Sequence, residues 1–346
     1  MIKKEDIIVI KLKQEWFKKG LDYALMSWTS TFNRMGKSNP YSRIQKIILG
    51  IIAEEAFEQY LIDNNISYEK NGRTKWYEED RYDIGIKKFV IDVKANFLDL
   101  NSAFIQSKIS NLFEDKYTWF TKCHALVPLD QLNPGNNKKR VHMRNKIYIF
   151  PFIEGISAIS SKSKCLVHSF WDYKWLKRSE HKNLSNLGNL NINYNGSLND
   201  SYIIIYGTLE QKKACIERLY LNKKTLQTKN DFFQVFSILW CGKPPSGLLT
   251  IQSKSLKLEE SVKPLLSFIL KPTKDGYWPI ENNWQNLWLD NCTIYLLGWI
   301  YEEDFRVIGK KYPRFTHTIE QYAETKVDNW GCFISELEPI GKIKSV

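Results

Sequence analysis

Two short segments rich in β-branched residues, separated by two lysines, constrain the fold of this chain more than any other feature. The segments cover residues 83–86 and 89–94. A two-residue connection between such segments is typical of antiparallel strands, so the pattern predicts a β-hairpin. Because side chains alternate between the two faces of a strand, Asp92 and Lys94 share one face. The hairpin therefore places an acid and a base side by side.

The acids at the two ends of this hairpin suggest a metal-dependent reaction. Hydrolysis of a phosphodiester needs a divalent cation, an attacking hydroxide and positive charge on the developing oxyanion. Asp83 and Asp92 could converge on Mg²⁺, with Mn²⁺ as a substitute, and the carbonyl oxygen of Val93 could add a ligand. Lys94 projects to the same face as Asp92, so it could hold the attacking water or stabilise the transition state.

These residues also resemble a known family. Asp83, a gap of eight residues and Asp92-Val93-Lys94 are similar to the D-(x)n-(D/E)xK pattern of the PD-(D/E)xK nuclease superfamily, which includes most restriction endonucleases. Tyr82 stands where the family has proline. The resemblance implies that Asp83 and Asp92 are metal ligands and that Lys94 is the catalytic lysine. It also implies a restriction-endonuclease-like core, which is a mixed central sheet flanked by helices.

A third acid is expected on the helix before the hairpin. Isoleucines recur with the 3.6-residue period over residues 43–64 and predict this helix. Residues 50–61 resemble the family segment G-x-x-x-E-x-A-F-x-x-Y-L, which points to Glu54 as a catalytic residue and metal ligand. Glu55 remains an alternative, and a solvated helix face explains either glutamate equally well.

Two further residues are weaker candidates. Asp99 could be an accessory acid, although an aspartate at such a position more often caps a turn or a helix. Gln106 falls in residues 97–120, which we expect to be helical, and a few nucleases of this family carry a glutamine on the corresponding helix.

The charge of the chain favours a polyanionic partner. Lys and Arg number 50 against 38 Asp and Glu, which gives a net charge of +12. Neutralising phosphates releases condensed counterions, so a basic surplus promotes binding to nucleic acid. Residues 126–144 read as a basic loop, in which Lys138, Lys139, Arg140 and Arg144 are candidate contacts to DNA phosphates. A Lys-rich proteome and a solvated loop are the alternative explanations.

The cysteines and the apolar segments indicate the compartment. The six cysteines are scattered with no CxxC pair, which is typical of reduced thiols and unlike a structural zinc site. The charged residues after Met1 predict no signal peptide, and the apolar runs are too short to span a bilayer. We therefore expect a cytoplasmic protein that has no membrane partner.

The order of predicted elements gives the fold class. We expect an α/β protein with a restriction-endonuclease-like core and a largely β or α+β insertion. The predicted divisions are an N-terminal helical segment over 1–42, the first part of the nuclease core over 43–155, an inserted module that could recognise DNA over 156–285, and core completion over 286–346. Further strands are expected over 146–152, 202–206, 233–239, 247–251 and 293–300.

These observations together predict a Mg²⁺-dependent endonuclease that acts on double-stranded DNA. Cutting both strands requires two sites, so we expect a homodimer. A type II-like restriction or defence nuclease is the first interpretation. A repair, recombination or transposition nuclease of the same fold, and a DNA-binding or assembly protein that keeps the fold without catalysis, remain as alternatives.

Overall fold

The hairpin predicted from the sequence forms part of a seven-stranded mixed sheet in a computed structural model of the chain. Its two strands pair antiparallel, with Ile84 opposite Ile91 and Ile86 opposite Phe89. The structure describes residues 2–28, 40–70, 83–111, 115–132, 145–157, 165–169, 187–210, 213–253, 277–280 and 284–346.

The described residues form six α-helices and nineteen strands. The helices are α1 Gln14–Ser27, α2 Pro40–Asp63, α3 Ala103–Ser110, α4 Lys116–Lys122, α5 Leu129–Leu132 and α6 Glu302–Ile308. The strands are β1 Ile8–Lys11, β2 Ile84–Ile86, β3 Phe89–Val93, β4 Asn96–Asp99, β5 His124–Pro128, β6 Lys146–Ser157, β7 Leu166–Ser169, β8 Leu190–Tyr194, β9 Tyr202–Thr208, β10 Ala214–Tyr220, β11 Thr225–Gln227, β12 Gln234–Cys241, β13 Leu249–Ser253, β14 Tyr277–Ile280, β15 Gln285–Asn286, β16 Leu289–Tyr301, β17 Lys310–Tyr312, β18 Asn329–Phe333 and β19 Glu338–Pro339.

The mixed sheet is arranged around its two longest strands. Its order is β1-β16-β6-β3-β2, with β19 beside β16 and β4 beside β6. β3 and β4 run parallel to β6, whereas β16 runs antiparallel to it. β6 and β16 are apolar and buried along most of their length, as expected for strands with neighbours on both edges. The chain therefore has a mixed α/β architecture.

Aromatic side chains fill the core on one face of this sheet. Phe120 of α4 is fully buried and packs edge-on against Phe152 of β6. The Phe120 and Tyr295 ring centroids are 4.9 Å apart. Truncating such a fully buried aromatic side chain to alanine typically costs about 3–5 kcal/mol. This packing fixes β6 and β16, and thereby the strands that pair with them.

The chain divides into two compact units. The first contains residues 1–20, 46–157 and 289–346, and the second contains residues 21–45 and 158–288. The mixed sheet and a three-stranded sheet, β17-β18-β5, belong to the first unit. Two antiparallel sheets, β10-β9-β12-β7-β15 and β11-β8-β13-β14, belong to the second unit, where Leu190, Ile203 and Trp240 are buried in one core.

The structure differs from the sequence-based expectation in three segments. Residues 8–11, expected to be helical within 1–42, form β1 and pair with β16. Residues 97–99, expected to begin a helix, lie in β4 beside β6, and the helical remainder is divided between α3 and α4. Residues 126–132, expected in a basic loop, end β5 and form α5. For β1 and β4, pairing with a distant strand overrides the local preference for a helix.

One structural observation concerns membranes. No helix in the described ranges is long and apolar enough to cross a bilayer.

Candidate active site

Two hydrogen bonds hold Asp83 at the open end of the β2–β3 hairpin. The backbone N–H of Asp83 donates to the carbonyl oxygen of Ile91 at 3.1 Å. The backbone N–H of Val93 donates to Oδ2 of Asp83 at 2.6 Å. The Asp83 carboxylate therefore lies against the backbone N–H of Val93, the residue between Asp92 and Lys94.

The carboxylate of Asp92 lies between two lysines. Its Oδ1 is 2.5 Å from Nζ of Lys94, and its Oδ2 is 2.8 Å from Nζ of Lys146. The Asp92 side chain is only 17% exposed. Burial by itself would raise the pKa of this carboxyl, but the two ammonium groups outweigh burial and hold the pKa below its ordinary value. Asp92 is therefore an anion at neutral pH.

Lys146 is a residue of this site that the sequence analysis did not identify. It begins β6, where parallel pairing places it beside Val90 and places Tyr148 beside Asp92. Side chains at 90 and 92, and at 146 and 148, share a face of the sheet because of the two-residue period. The one signal in the sequence is a lysine at the start of a predicted strand. This signal becomes informative only when β3 and β6 are known to be neighbours.

Tyr148 and Glu302 extend the site beyond the lysines. The Nζ atoms of Lys146 and Lys94 lie 4.8 Å and 5.9 Å from the centroid of the Tyr148 ring. The Tyr148 hydroxyl donates to Oε2 of Glu302 at 3.2 Å. Burial, the Glu302 carboxylate and the Asp92 carboxylate all raise the pKa of Tyr148. Tyr148 is therefore a neutral hydroxyl that donates to Glu302.

Glu302 also forms an ion pair within its own helix, α6. It is the first residue of α6, and its Oε1 lies 2.6 Å from Nη2 of Arg306, one turn further along. Nζ of Lys146 lies 4.0 Å from Oε2 of Glu302. Carboxylates and cations therefore alternate through the site, in the order Lys94, Asp92, Lys146, Glu302 and Arg306.

The donor atoms near Asp83 suit a hard divalent cation. The carboxylates of Asp83 and Asp92 and the carbonyl of Val93 are all oxygen donors, the kind that Mg²⁺ prefers. Across the described ranges, no three or more His, Cys, Asp or Glu side chains are grouped so that they could hold a metal ion, and Glu54 does not join Asp83 and Asp92 in such a group. Mg²⁺ usually takes one or two protein carboxylates and retains several waters, so two aspartates are sufficient.

The two candidate glutamates of α2, Glu54 and Glu55, have different surroundings. Glu55 is buried, 2.8 Å from Nζ of Lys19 and 3.1 Å from Nζ of Lys70. Lys70 also pairs with Glu58. These contacts explain Glu55 as part of a structural ion cluster. Glu54 is half-buried, and its role as a site residue stays a prediction.

Asp99 and Gln106 have structural partners. Oδ2 of Asp99 accepts from the Ser157 hydroxyl at 2.5 Å, and its Oδ1 accepts from the backbone N–H of Asn101 at 3.0 Å. Nε2 of Gln106 donates to the carbonyl oxygen of Leu100 at 2.9 Å. Both side chains tie the turn between β4 and α3, which matches the turn-capping alternative for Asp99.

The predicted DNA-contacting residues Lys138, Lys139, Arg140 and Arg144 lie outside the described residues. Comparison with known proteins gives no relative, since no family model, no curated protein and no solved structure matches the chain.

Proposed function

We propose that this chain is a Mg²⁺-dependent endonuclease of double-stranded DNA with a restriction-endonuclease-like core. The observation that carries the proposal is the position of Asp83. The Val93 N–H binds its carboxylate beside Asp92, and Lys94 is 2.5 Å from Asp92. Two carboxyl groups and a lysine at one strand end are the groups that metal-dependent phosphodiester hydrolysis requires.

The surrounding fold supports this proposal. Helix α2 precedes the hairpin, and β3 runs parallel to β6 in the mixed sheet. This order of a helix, a hairpin carrying the acids and later strands of a mixed sheet is what the resemblance to PD-(D/E)xK nucleases implies. Lys94 is fixed at its backbone, where its N–H donates to the carbonyl oxygen of Ile149 at 2.8 Å.

Each side chain has a role in the proposed reaction. Asp83, Asp92 and the Val93 carbonyl would hold Mg²⁺, and Mn²⁺ would substitute. Glu54 stays a predicted ligand that the grouping of the described side chains does not include. The bound ion would supply Lewis-acid activation of water and of the phosphate. Lys94 would donate hydrogen bonds to phosphate oxygens and stabilise the negative charge that develops on them. The Val93 N–H would keep the Asp83 carboxylate oriented.

The proposed biological role follows from this chemistry. A type II-like restriction or defence nuclease acting as a homodimer in the cytoplasm is the first candidate, because a dimer presents one site to each DNA strand. The net charge of +12 supports binding to the DNA backbone.

A cleavage assay over a panel of double-stranded DNA sequences tests the proposal. Wild-type protein is expected to cut DNA with Mg²⁺ or Mn²⁺ and to leave it intact with a chelator, and Asp83→Asn is expected to lose at least about a hundredfold in rate. DNA that is shifted on a gel by wild type but never cut would instead support the non-catalytic DNA-binding alternative. Failure both to cut and to shift DNA would contradict both.

A further inference from the structure

The two lysines that contact Asp92 differ in whether a second carboxylate lies within reach. Lys94 contacts Asp92 and the face of Tyr148 among the residues described. Lys146 contacts the same two groups and has, in addition, a second carboxylate at 4.0 Å in Glu302. Lys146 therefore has a second carboxylate with which it can pair if it leaves Asp92.

The Glu302 carboxylate is already oriented to accept a hydrogen bond from Lys146. Arg306 holds its Oε1, whereas Oε2 is the atom that faces both the Tyr148 hydroxyl and Lys146. Shortening the distance from Nζ of Lys146 to Oε2 to that of an ordinary hydrogen bond requires a movement of about 1 Å. The Tyr148 ring lies beneath Nζ of Lys146, so cation–π attraction persists during this movement.

A divalent cation and Lys146 compete for the same atom. Lys146 occupies Oδ2 of Asp92 at 2.8 Å, and Lys94 occupies Oδ1. A cation that binds Asp92 must displace at least one ammonium group, since like charges repel strongly at such short range. Of these two lysines, only Lys146 has a second carboxylate oxygen within 4.0 Å of its Nζ among the described residues.

We propose that Lys146 is a positioning residue that gives up Oδ2 of Asp92 to the incoming metal ion and moves to Glu302. The inference rests on the proposed metal site, and it adds a built-in counter-ion that regulates metal affinity. Lys146 stabilises the metal-free site, Glu302 receives it, and Tyr148 lies along the path. Removing the charge of Lys146 should then raise metal affinity, and removing the charge of Glu302 should lower it.

Calorimetric titration of the full chain with Mn²⁺, without DNA, tests this inference. The signal assigned to the site is the one that Asp92→Asn abolishes. Lys146→Met removes the competing charge and is expected to lower Kd by about tenfold or more. Glu302→Gln removes the acceptor and is expected to raise Kd by about threefold or more. Lys146→Arg keeps the charge and is expected to stay within about threefold of wild type.

The matched control is Lys116 of α4, which pairs with Glu154 of β6 and donates to the hydroxyl of Tyr295 of β16. Lys116→Met is expected to leave Kd within about twofold, because its charge is far from Asp92. An unchanged or higher Kd in Lys146→Met, or an unchanged or lower Kd in Glu302→Gln, overturns the inference. So does the absence of any Mn²⁺ binding that depends on Asp92.

The outcome is separable from that of the proposed function. If Lys146→Met and Glu302→Gln change the Kd for Mn²⁺ as expected but no DNA is cut, the counter-ion inference stands and the nuclease proposal falls. If DNA is cut while both variants bind Mn²⁺ as wild type does, the nuclease proposal stands and the inference falls. Thermal melting of each variant confirms that the titrated protein is folded.

Discussion

The central sheet carries two clusters built from the same chemical groups, a carboxylate, a lysine and a tyrosine ring. At the second cluster, Nζ of Lys116 lies 3.1 Å and 3.0 Å from the two oxygens of Glu154 and 5.0 Å from the centroid of the Tyr295 ring. It also donates to the Tyr295 hydroxyl at 2.7 Å. Lys146, Asp92 and Tyr148 are the corresponding three groups, but the Tyr148 hydroxyl donates to Glu302.

The clusters differ in how completely their charges are matched. Glu154 and Lys116 form a one-to-one pair, and among the described residues Glu154 has no second lysine. Asp92 has one lysine on each oxygen, and the Asp83 carboxylate is held beside it. A one-to-one pair is sufficient to stabilise a fold. The proposed metal site would account for the additional lysine and acid at Asp92, and we therefore propose catalysis at this cluster alone.

The largest difference between the clusters should appear in the catalytic effect of their lysines. Lys94→Met removes positive charge from the reacting phosphate and is expected to lower the DNA cleavage rate by about 10²–10³. Lys116→Met should change the rate by less than about threefold. Single-turnover cleavage with saturating enzyme measures both, and equal losses in the two variants would show that the clusters do not differ in function.

The effects on the free energy of unfolding should have the opposite order, with the larger loss at the Glu154 cluster. Lys116→Met leaves the Glu154 carboxylate, which is 13% exposed, without its lysine and is expected to cost about 1–3 kcal/mol of unfolding free energy. Lys146→Met leaves Asp92 paired with Lys94 and should cost less than Lys116→Met does. Urea denaturation measures both. A larger loss in Lys146→Met would mean that the Asp92 cluster is the structural one.

The Glu154 cluster also predicts a pH dependence. Burial of Lys116 would lower its pKa, but its bonds to Tyr295 and Glu154 outweigh burial and raise the pKa above the ordinary value of 10.5. The stabilisation is therefore complete below pH 10.5 and is lost as pH rises through the higher folded-state pKa. The unfolding free energy of wild type relative to Lys116→Met should stay constant from pH 7 to about 9.5 and shrink above about 10.5. A difference that instead grows at alkaline pH would contradict this assignment.

The smallest effect is expected at Asp99. Asp99→Asn keeps the shape of the side chain and weakens only the bonds to Ser157 and Asn101, so the cleavage rate should remain within about threefold and the stability loss should be about 1 kcal/mol. Parallel cleavage and urea measurements check this. A loss of a hundredfold in rate with unchanged stability would restore Asp99 as an accessory catalytic acid.

The hairpin was predictable because its information is local. Alternation and β-branched residues identify β2 and β3, and the structure confirms both strands and their pairing. The turn itself is unusual, because Lys87 has a φ of 51°, a conformation that asparagine or glycine usually takes. The hairpin was therefore predictable from its strands rather than from its turn.

The remaining site residues depend on distant pairing. Lys146 reaches Asp92 because β6 lies parallel to β3, and Glu302 reaches Lys146 because β16 pairs Tyr301 with Ile147. These contacts join segments more than 50 and 150 positions apart in the sequence. A periodicity within a single segment contains no information about which strands become neighbours, so neither residue could be inferred beforehand.

The most direct test of the account compares the two carboxylates themselves. Asp92→Asn and Glu154→Gln each replace a partly buried, lysine-paired carboxylate with its neutral isostere on the same sheet. With Mg²⁺ and double-stranded DNA, Asp92→Asn is expected to lose at least about 10³ in cleavage rate, whereas Glu154→Gln should stay within about threefold of wild type. Retention of wild-type cleavage by Asp92→Asn, or an equal loss in both variants, would contradict the account.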